Sequence, residues 1–238
     1  MSLKIQEILL WWSMVFGIIF ILTWAFVIGM IPLPPATWTS TEVAAFYTEN
    51  QTRIRWGAAI CSWTAGFWIP FTVVIGAQIA RLEEGFPTLA IMQIVAGCIQ
   101  ALTLVIPPVI WGVCAFTPDR APDVTNAFHQ FANLFLVCTA QMYIFQWASW
   151  ILITFTGKSD PLSPFNRWFG YFLIWTVVMY ECAAIGFTTR EGLFAWDGLI
   201  VFYIPFGLLF VTWVILYIKL FKSIRLQRNE EVLQAVAA

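Results

Sequence analysis

Charged side chains are scarce in this chain. Only 11% of its 238 residues are Asp, Glu, Lys or Arg, whereas 61% are hydrophobic. A soluble domain carries about 25% charged residues, because a globule has to cover its surface with polar groups. The composition therefore excludes an ordinary soluble fold and indicates a protein whose solvent is lipid. The net charge of −1 also gives no electrostatic basis for binding nucleic acid.

Histidine is nearly absent, and this excludes several cofactors. His129 is the single histidine, whereas haem between membrane helices usually needs two, and di-iron or copper sites need several His or carboxylate ligands. No lysine lies in the middle of an apolar run, where retinal would attach. We therefore expect no cofactor and no metal. His129 itself is interpreted as a hydrogen-bonding residue near the outer end of a span, with a proton relay as the alternative.

The motifs of soluble catalysis are also missing. The chain contains no GxxxxGK[ST] or GxGxxG phosphate loop and no GxSxG nucleophile elbow. The five cysteines form no CxxC pair and lie in or beside apolar segments. This pattern predicts buried free thiols rather than a disulfide framework or a zinc site.

What the sequence does contain is long apolar runs. A bilayer core of about 30 Å needs about 20 apolar residues per helix. Uncharged intervals reach that length six times, which predicts an all-α integral membrane bundle in which residues 1–238 form a single transmembrane domain. The predicted spans are 8–31, 56–80, 88–115, 127–156, 168–188 and 198–218. The apolar run behind the basic start is too long for a signal peptide, so it is expected to remain as the first span.

The basic residues predict the orientation. Eight of them fall on the side of the two termini and four on the other side, and short cytoplasmic loops are richer in Lys and Arg. Both termini are therefore expected in the cytoplasm. The eight are Lys4, Arg81, Lys158, Arg167, Lys219, Lys222, Arg225 and Arg228; the four are Arg53, Arg55, Arg120 and Arg190. The basic C-terminal segment is expected to continue the last helix beyond the membrane.

The first outer loop predicts a short helix of its own. Thr39 and Glu42 have the spacing of a capping box, and Val43, Phe46 and Tyr47 recur at helical spacing. An amphipathic helix over 40–51 is expected to lie on the outer surface with its aromatic residues in the headgroup region. A lid over an outward-facing cavity is the alternative.

Two segments carry a resemblance. The run EVAAFYTENQTRIRWG before the second span and FAWDGL at the start of the last are similar to a group of poorly characterised bacterial six-helix membrane proteins. The resemblance covers most of the chain. It implies the inner (cytoplasmic) membrane of a bacterium and implies no activity.

Polar side chains at matching depth predict a site near the midplane. Gln100 and Gln141 lie near the centres of the third and fourth spans, and Glu181 lies a few residues outward of the centre of the fifth. Consecutive spans are usually neighbours in space. An ionised carboxylate at this depth costs at least about 2.5–3.5 kcal/mol. Glu181 is therefore interpreted as a protonated interhelical hydrogen-bonding group, as a ligand- or proton-binding group, or as a subunit contact. The predicted ligand-binding set is Glu181, Gln141, Gln100, Thr139, Thr103, Trp63, Trp68 and Trp175.

Prolines inside the spans favour a cavity at this level. Pro70, Pro107, Pro108 and Pro205 each remove a backbone hydrogen bond within a predicted helix. Bent helices pack less closely than straight ones, so pockets are expected where they diverge.

Three functions remain open. The first is binding or transport of a small neutral or hydrophobic molecule near the midplane, since a charged one would need more intramembrane countercharge. The second is an accessory or assembly subunit of a membrane complex. The third is an enzyme that acts on a lipid- or steroid-like substrate through Glu181. The expected partners are the lipid bilayer and the ligand, with a homo-oligomer or a membrane-complex partner left open.

Overall fold

The structure is a computed structural model that describes residues 1–139 and 141–237. Every regular element in this part of the chain is helical, which confirms the all-α prediction. Six segments are long and apolar enough to cross a membrane, as predicted. They cover Leu3–Ile28, Gln51–Ala80, Thr88–Phe116, Pro122–Thr156, Arg167–Phe187 and Gly192–Val236.

The α-helices build these spans and one outer element. The helices are α1 (Leu3–Leu22), α2 (Ser40–Glu49), α3 (Gln51–Thr64), α4 (Trp68–Ala80), α5 (Thr88–Phe116), α6 (Pro122–Cys138), α7 (Gln141–Thr156), α8 (Arg167–Glu181) and α9 (Ile204–Ala237). Helices α3 and α4 form the second span, and α6 and α7 form the fourth. Short 3₁₀ or π segments extend or join them at Thr23–Ile28, Ala65–Phe67, Cys182–Phe187, Gly192–Phe194 and Leu199–Tyr203.

The six spans close into a ring in chain order. The third span, α5, packs on α3 and α4 on one side and on α6 and α7 on the other. Helix α8 contacts α7 and α9, and α9 returns to α1. Consecutive spans joined by short loops are thus neighbours, and the centre of the ring is where side chains from several spans can meet.

Several helix ends differ from the sequence-based expectation. Helix α1 begins at Leu3 rather than at residue 8, because the Ser2 hydroxyl accepts a hydrogen bond from the Ile5 amide at 3.3 Å. The fourth span is not one continuous helix. Helix α6 ends at Cys138, and the hydroxyl of the next residue, Thr139, bonds to the Phe135 carbonyl. Helix α9 continues to Ala237, as predicted.

Two layers of buried glutamine join the helices. In the first, Thr72 of α4 accepts hydrogen bonds from Gln93 of α5 at 2.9 Å and from Gln146 of α7 at 3.0 Å. In the second, near the termini, Gln78 of α4 donates to Gln6 at 2.7 Å and accepts from Gln227 at 3.0 Å. Amide hydrogen bonds of this kind hold membrane helices together where lipid offers no competing partner.

The side chains of the first layer leave no room for a Cβ atom at Gly97 of α5. A Cβ atom at this position would lie 2.0 Å from Thr72 Oγ1 and 2.4 Å from Gln146 Nε2. Gly97→Ala is therefore expected to lower the free energy of unfolding by about 2 kcal/mol through overpacking, measured by thermal unfolding in detergent. Gly207→Ala in α9 is the matched control, since no described atom lies within 4 Å of its added Cβ. Equal melting temperatures for the two variants would contradict this packing.

The outer helix forms, but it packs on protein rather than on headgroups. Helix α2 begins with the predicted capping box between Thr39 and Glu42. The hydrogen bonds from the Thr39 amide and hydroxyl lower the pKa of the Glu42 carboxyl. Val43 and Tyr47 are fully buried against the bundle, chiefly against α6, so the expectation that the aromatic residues dip into the headgroup region is wrong for Tyr47. The reason is that α6 extends to Pro122 and gives α2 an apolar surface to cover.

Candidate functional site

A cavity of about 60 Å³ lies inside the ring of spans. Its walls come from the first, third, fourth, fifth and sixth spans, and most of them are aromatic or aliphatic. The residues that matter most below are Trp24, Thr103, Trp111, Tyr143, Tyr180 and Ala183.

Prolines of two helices belong to this cavity, as the sequence suggested. Pro108 of α5 and Pro205 of α9 both line it. Proline has no N–H and its ring displaces the preceding turn, so the helix cannot pack closely at that level. Pro205 lies two residues after the π segment Leu199–Tyr203, whose Val201 and Phe202 also line the cavity.

A second cavity of about 40 Å³ adjoins the first. The two share Phe20, Trp24 and Tyr143, among others. The second cavity is also lined by Phe210 of α9, a side chain that is 49% exposed. The lining of the second cavity therefore runs from buried residues to one on the outside of the bundle.

Indole N–H groups around these cavities lack partners. Trp24 and Trp111 line the first cavity, and Trp24 and Trp213 line the second. The Nε1 atom of each of these three residues is buried without a hydrogen-bond partner among the described residues. A buried indole N–H usually finds an acceptor, because leaving it unpaired costs about 1–3 kcal/mol. Three unpaired donors therefore border these two cavities, and the buried Nε1 atoms of Trp147 and Trp150, which line neither cavity, also lack a partner among the described residues.

One wall of the first cavity is polar. The Gln100 amide donates to the Thr103 hydroxyl at 2.5 Å, and that hydroxyl donates to the Gln100 carbonyl at 2.8 Å. Thr103, Tyr143 and Tyr180 all line the cavity. The first cavity therefore has hydroxyl groups on one wall and the unpaired indole N–H groups of Trp24 and Trp111 elsewhere in its lining.

The structure brings together only part of the predicted set. Gln100 and Thr103 are buried one turn apart in α5 and hydrogen-bonded, and Thr103 lines the cavity. Glu181 ends α8, is partly exposed, and lines neither cavity. Successive residues of a helix point about 100° apart, so it is Tyr180 that faces the cavity and Glu181 that turns away. The expected cluster of Glu181 with Gln100 is corrected accordingly.

The three predicted tryptophans do not lie together. Trp68 is 2% exposed, lines the second cavity and donates through Nε1 to Gln146 Oε1 at 3.3 Å. Trp63 and Trp175 are 75% and 53% exposed on the outside of the bundle. They do not share a lining with Trp68, because both face lipid rather than the centre of the ring.

Two further predicted residues remain, Thr139 and Gln141. Thr139 is partly buried, and its hydroxyl is bonded to its own helix as described above. Gln141 starts α7, but its side chain lies outside the described part of the structure.

Buried hydrogen bonds link α6 to the outer part of the protein, which we call the cap and define as residues 29–50 together with 188–198. Tyr47 Oη lies 2.9 Å from His129 Nδ1, and the Asn133 amide nitrogen lies 3.0 Å from His129 Nε2. Burial raises the pKa of Tyr47 well above its usual value, so the phenol stays neutral. His129 thus bonds to protein side chains, in agreement with its interpretation as a hydrogen-bonding residue.

The two parts of the cap are bound to each other. Arg190 donates through Nε and Nη2 to the Ala36 carbonyl at 3.0 and 2.8 Å. Trp196 donates to the Pro34 carbonyl at 3.0 Å. These contacts hold the two parts of the cap together at the end of the bundle opposite the termini.

Sequence reasoning missed Trp24, Trp111, Tyr143 and Tyr180. Trp24 and Trp111 lie in the spans, where an indole without a local acceptor is a usable signal. Tyr143 and Tyr180 each stand within two residues of a predicted polar residue, Gln141 or Glu181. In the fifth span, selecting the strongest polar residue, Glu181, therefore found the right depth and the wrong face of the helix.

Comparisons with protein-family models, with curated proteins and with solved structures gave no match. Within the described residues no group of three or more His, Cys, Asp or Glu side chains could hold a metal ion.

Proposed function

We propose that this protein binds, and allows the passage of, a small lipophilic molecule that carries a hydrogen-bond-accepting oxygen. The observation that carries the proposal is the set of unpaired indole donors, Trp24, Trp111 and Trp213, around two adjoining apolar cavities. An ether or carbonyl oxygen would pair with such donors, whereas a hydrocarbon would leave them unpaired.

The size and the opening of the cavities support a small or slender occupant. Their volumes of about 60 and 40 Å³ are smaller than the engineered cavity of about 150 Å³ that takes up benzene. A single ring, or the narrow end of a longer molecule, would therefore enter only as lining side chains move to enlarge the space. The exposed Phe210 in the lining of the second cavity favours entry from the bilayer over entry from water.

We also propose that the protein lies in the bacterial inner membrane with both termini in the cytoplasm. The distribution of basic residues supports the orientation. The resemblance of EVAAFYTENQTRIRWG and FAWDGL to bacterial membrane proteins supports the location.

A matched pair of probes tests the proposal. Acetophenone and ethylbenzene are similar in shape, but only the ketone accepts a hydrogen bond. The purified protein is expected to bind acetophenone more tightly than ethylbenzene, and Trp111→Phe is expected to weaken ketone binding by about fivefold to tenfold, since one hydrogen bond contributes about 1 kcal/mol. Isothermal titration with both probes measures the difference.

Controls keep this experiment specific. Trp63→Phe removes an indole from the outer surface, and Glu181→Gln neutralises a carboxyl outside the lining; both are expected to bind acetophenone like the wild type. Equal binding of the two probes, or loss of ketone binding in Glu181→Gln, would contradict the role given to the indoles.

One observation favours a second candidate, the accessory or assembly subunit. Trp168, Tyr171, Trp175 and Val178 are exposed at helical spacing on one face of α8. Such a face packs against lipid or against another membrane protein. The enzyme alternative loses support, because the carboxyl of Glu181 forms no hydrogen bond or ion pair with the described residues and lines neither cavity.

A further inference from the structure

A polar groove of about 490 Å³ lies at the end of the bundle that carries the termini. It is separate from the aromatic cavities and is formed by the loop 157–166, the start of α8 and the last turns of α9 before the C-terminal extension. Its volume falls in the range of about 300–1,000 Å³ that small-molecule sites occupy.

The wall of the groove is held in place by contacts from several helices. The Lys158 amide donates to the Leu82 carbonyl at 2.9 Å, and Asp160 forms an ion pair with Arg81. The Ser223 hydroxyl of α9 bonds to the Leu162 carbonyl. The loop therefore presents a preformed surface and not a loose connection.

The groove has an excess of positive charge. Four cations line it, and none of them forms an ion pair with a carboxylate of the described residues. They are Lys158, Arg167, Lys219 and Lys222. The one carboxylate in the lining, Asp160, is already paired with Arg81 from outside the lining. Four like charges held around one concave surface favour an anionic occupant.

Helix α8 adds to this field. Asn166 caps α8 by accepting from the Phe169 amide at 3.2 Å and also accepts from Lys219 Nζ at 3.0 Å. The positive end of the helix and the ammonium of Lys219 therefore lie at the same side of the groove. Phosphate groups bind readily where such a helix end and basic side chains converge.

Exposed apolar side chains border the groove toward the lipid-facing surface. Phe155 and Leu226 belong to the lining and are exposed, and Trp168 is exposed next to Arg167. A free phosphate ion would make no favourable contact with this apolar border, whereas acyl chains would lie along it. Basic pockets between membrane helices at the cytoplasmic side commonly hold anionic lipid headgroups.

We infer that this groove binds the headgroup phosphate of an anionic phospholipid, with the acyl chains against Phe155 and Trp168. The inference rests on the groove alone and goes beyond the function proposed for the aromatic cavities. Lipid held here would fix the loop between α7 and α8 against the membrane surface.

Native mass spectrometry of the detergent-purified protein tests the inference. The probes are phosphatidylglycerol, phosphatidylcholine and inorganic phosphate. Phosphatidylglycerol is expected to remain bound to the wild type and to bind tighter than phosphatidylcholine. Arg167→Gln with Lys222→Gln is expected to weaken phosphatidylglycerol binding by about 25-fold, since each cation near an anionic surface contributes about fivefold.

The matched control is Lys4→Gln with Arg225→Gln. These residues are exposed at the same end, carry the same charge and lie outside the groove. The control is expected to keep wild-type lipid binding, and both double variants are expected to keep the wild-type melting temperature. Equal loss in both double variants would overturn the inference in favour of non-specific attraction. Displacement of the lipid by an equal concentration of phosphate would overturn it in favour of a free-phosphate site, and equal binding of the two lipids would overturn it outright.

Discussion

Ala183→Leu is expected to abolish the binding of acetophenone while the protein keeps its fold. Ala183 is buried in the 3₁₀ segment after α8 and lines the first cavity. A leucine side chain there would occupy most of a space of about 60 Å³ and would cover the indoles that the ligand needs. We expect affinity to fall at least about 100-fold, because filling the site removes all contacts rather than one hydrogen bond.

Ala184→Leu is the control for this experiment. Ala184 is the next residue in the same segment, is only partly buried and does not line either cavity. Titration and thermal unfolding of both variants separate blocked binding from lost folding. Undiminished acetophenone binding by a folded Ala183→Leu protein would place the ligand elsewhere.

Trp68→Ala is expected to cost about 3 kcal/mol of unfolding free energy, while Trp63→Ala has almost no effect. Trp68 packs edge-to-face or tilted against Phe71, Tyr143 and Trp213, with ring centroids 5.5–5.6 Å apart, and donates to Gln146. Removing it leaves a large cavity between α4, α7 and α9 and an unpaired amide oxygen, and substitutions of this type cost about 3–5 kcal/mol. Trp63 lies five residues earlier on the outer surface, where lipid fills the space.

Chemical unfolding in detergent, followed by circular dichroism, measures both variants. Because both lose an indole, the comparison isolates the position in the bundle from the chemistry of the side chain. Similar losses for the two would mean that Trp68 does not hold the helices together.

The topology could be predicted because each signal is local. Apolar length set the spans, and Thr39 with Glu42 fixed the start of α2 through a hydrogen-bond pattern within one turn. Thr139 marks the limit of this reasoning. Helix α6 ends just before it, at Cys138, and nothing in the apolar length of 127–156 indicates that end.

For the site, only the position of its residues along the spans could be predicted from the sequence. Gln100 and Thr103 were placed correctly on one face of α5, because residues three apart in a helix are neighbours. Glu181 and Tyr180 were not distinguished, since a sequence gives the order of residues along α8 but not its rotation about its axis. Trp63 and Trp68 were not distinguished for the same reason, because the sequence does not show which side of a helix faces the bundle. For α8, the rotation is set by packing against α7 and α9.

An electron-density map of the protein soaked with 4-bromoacetophenone tests the central proposal most directly, because the anomalous signal of bromine locates the ligand without reference to its oxygen. We expect one bromine peak inside the ring of spans, between α5 and α9, with the ketone oxygen within about 3 Å of an indole nitrogen of Trp24 or Trp111. Bromine found only on the lipid-facing surface, beside residues such as Trp63 or Trp175, would contradict the account.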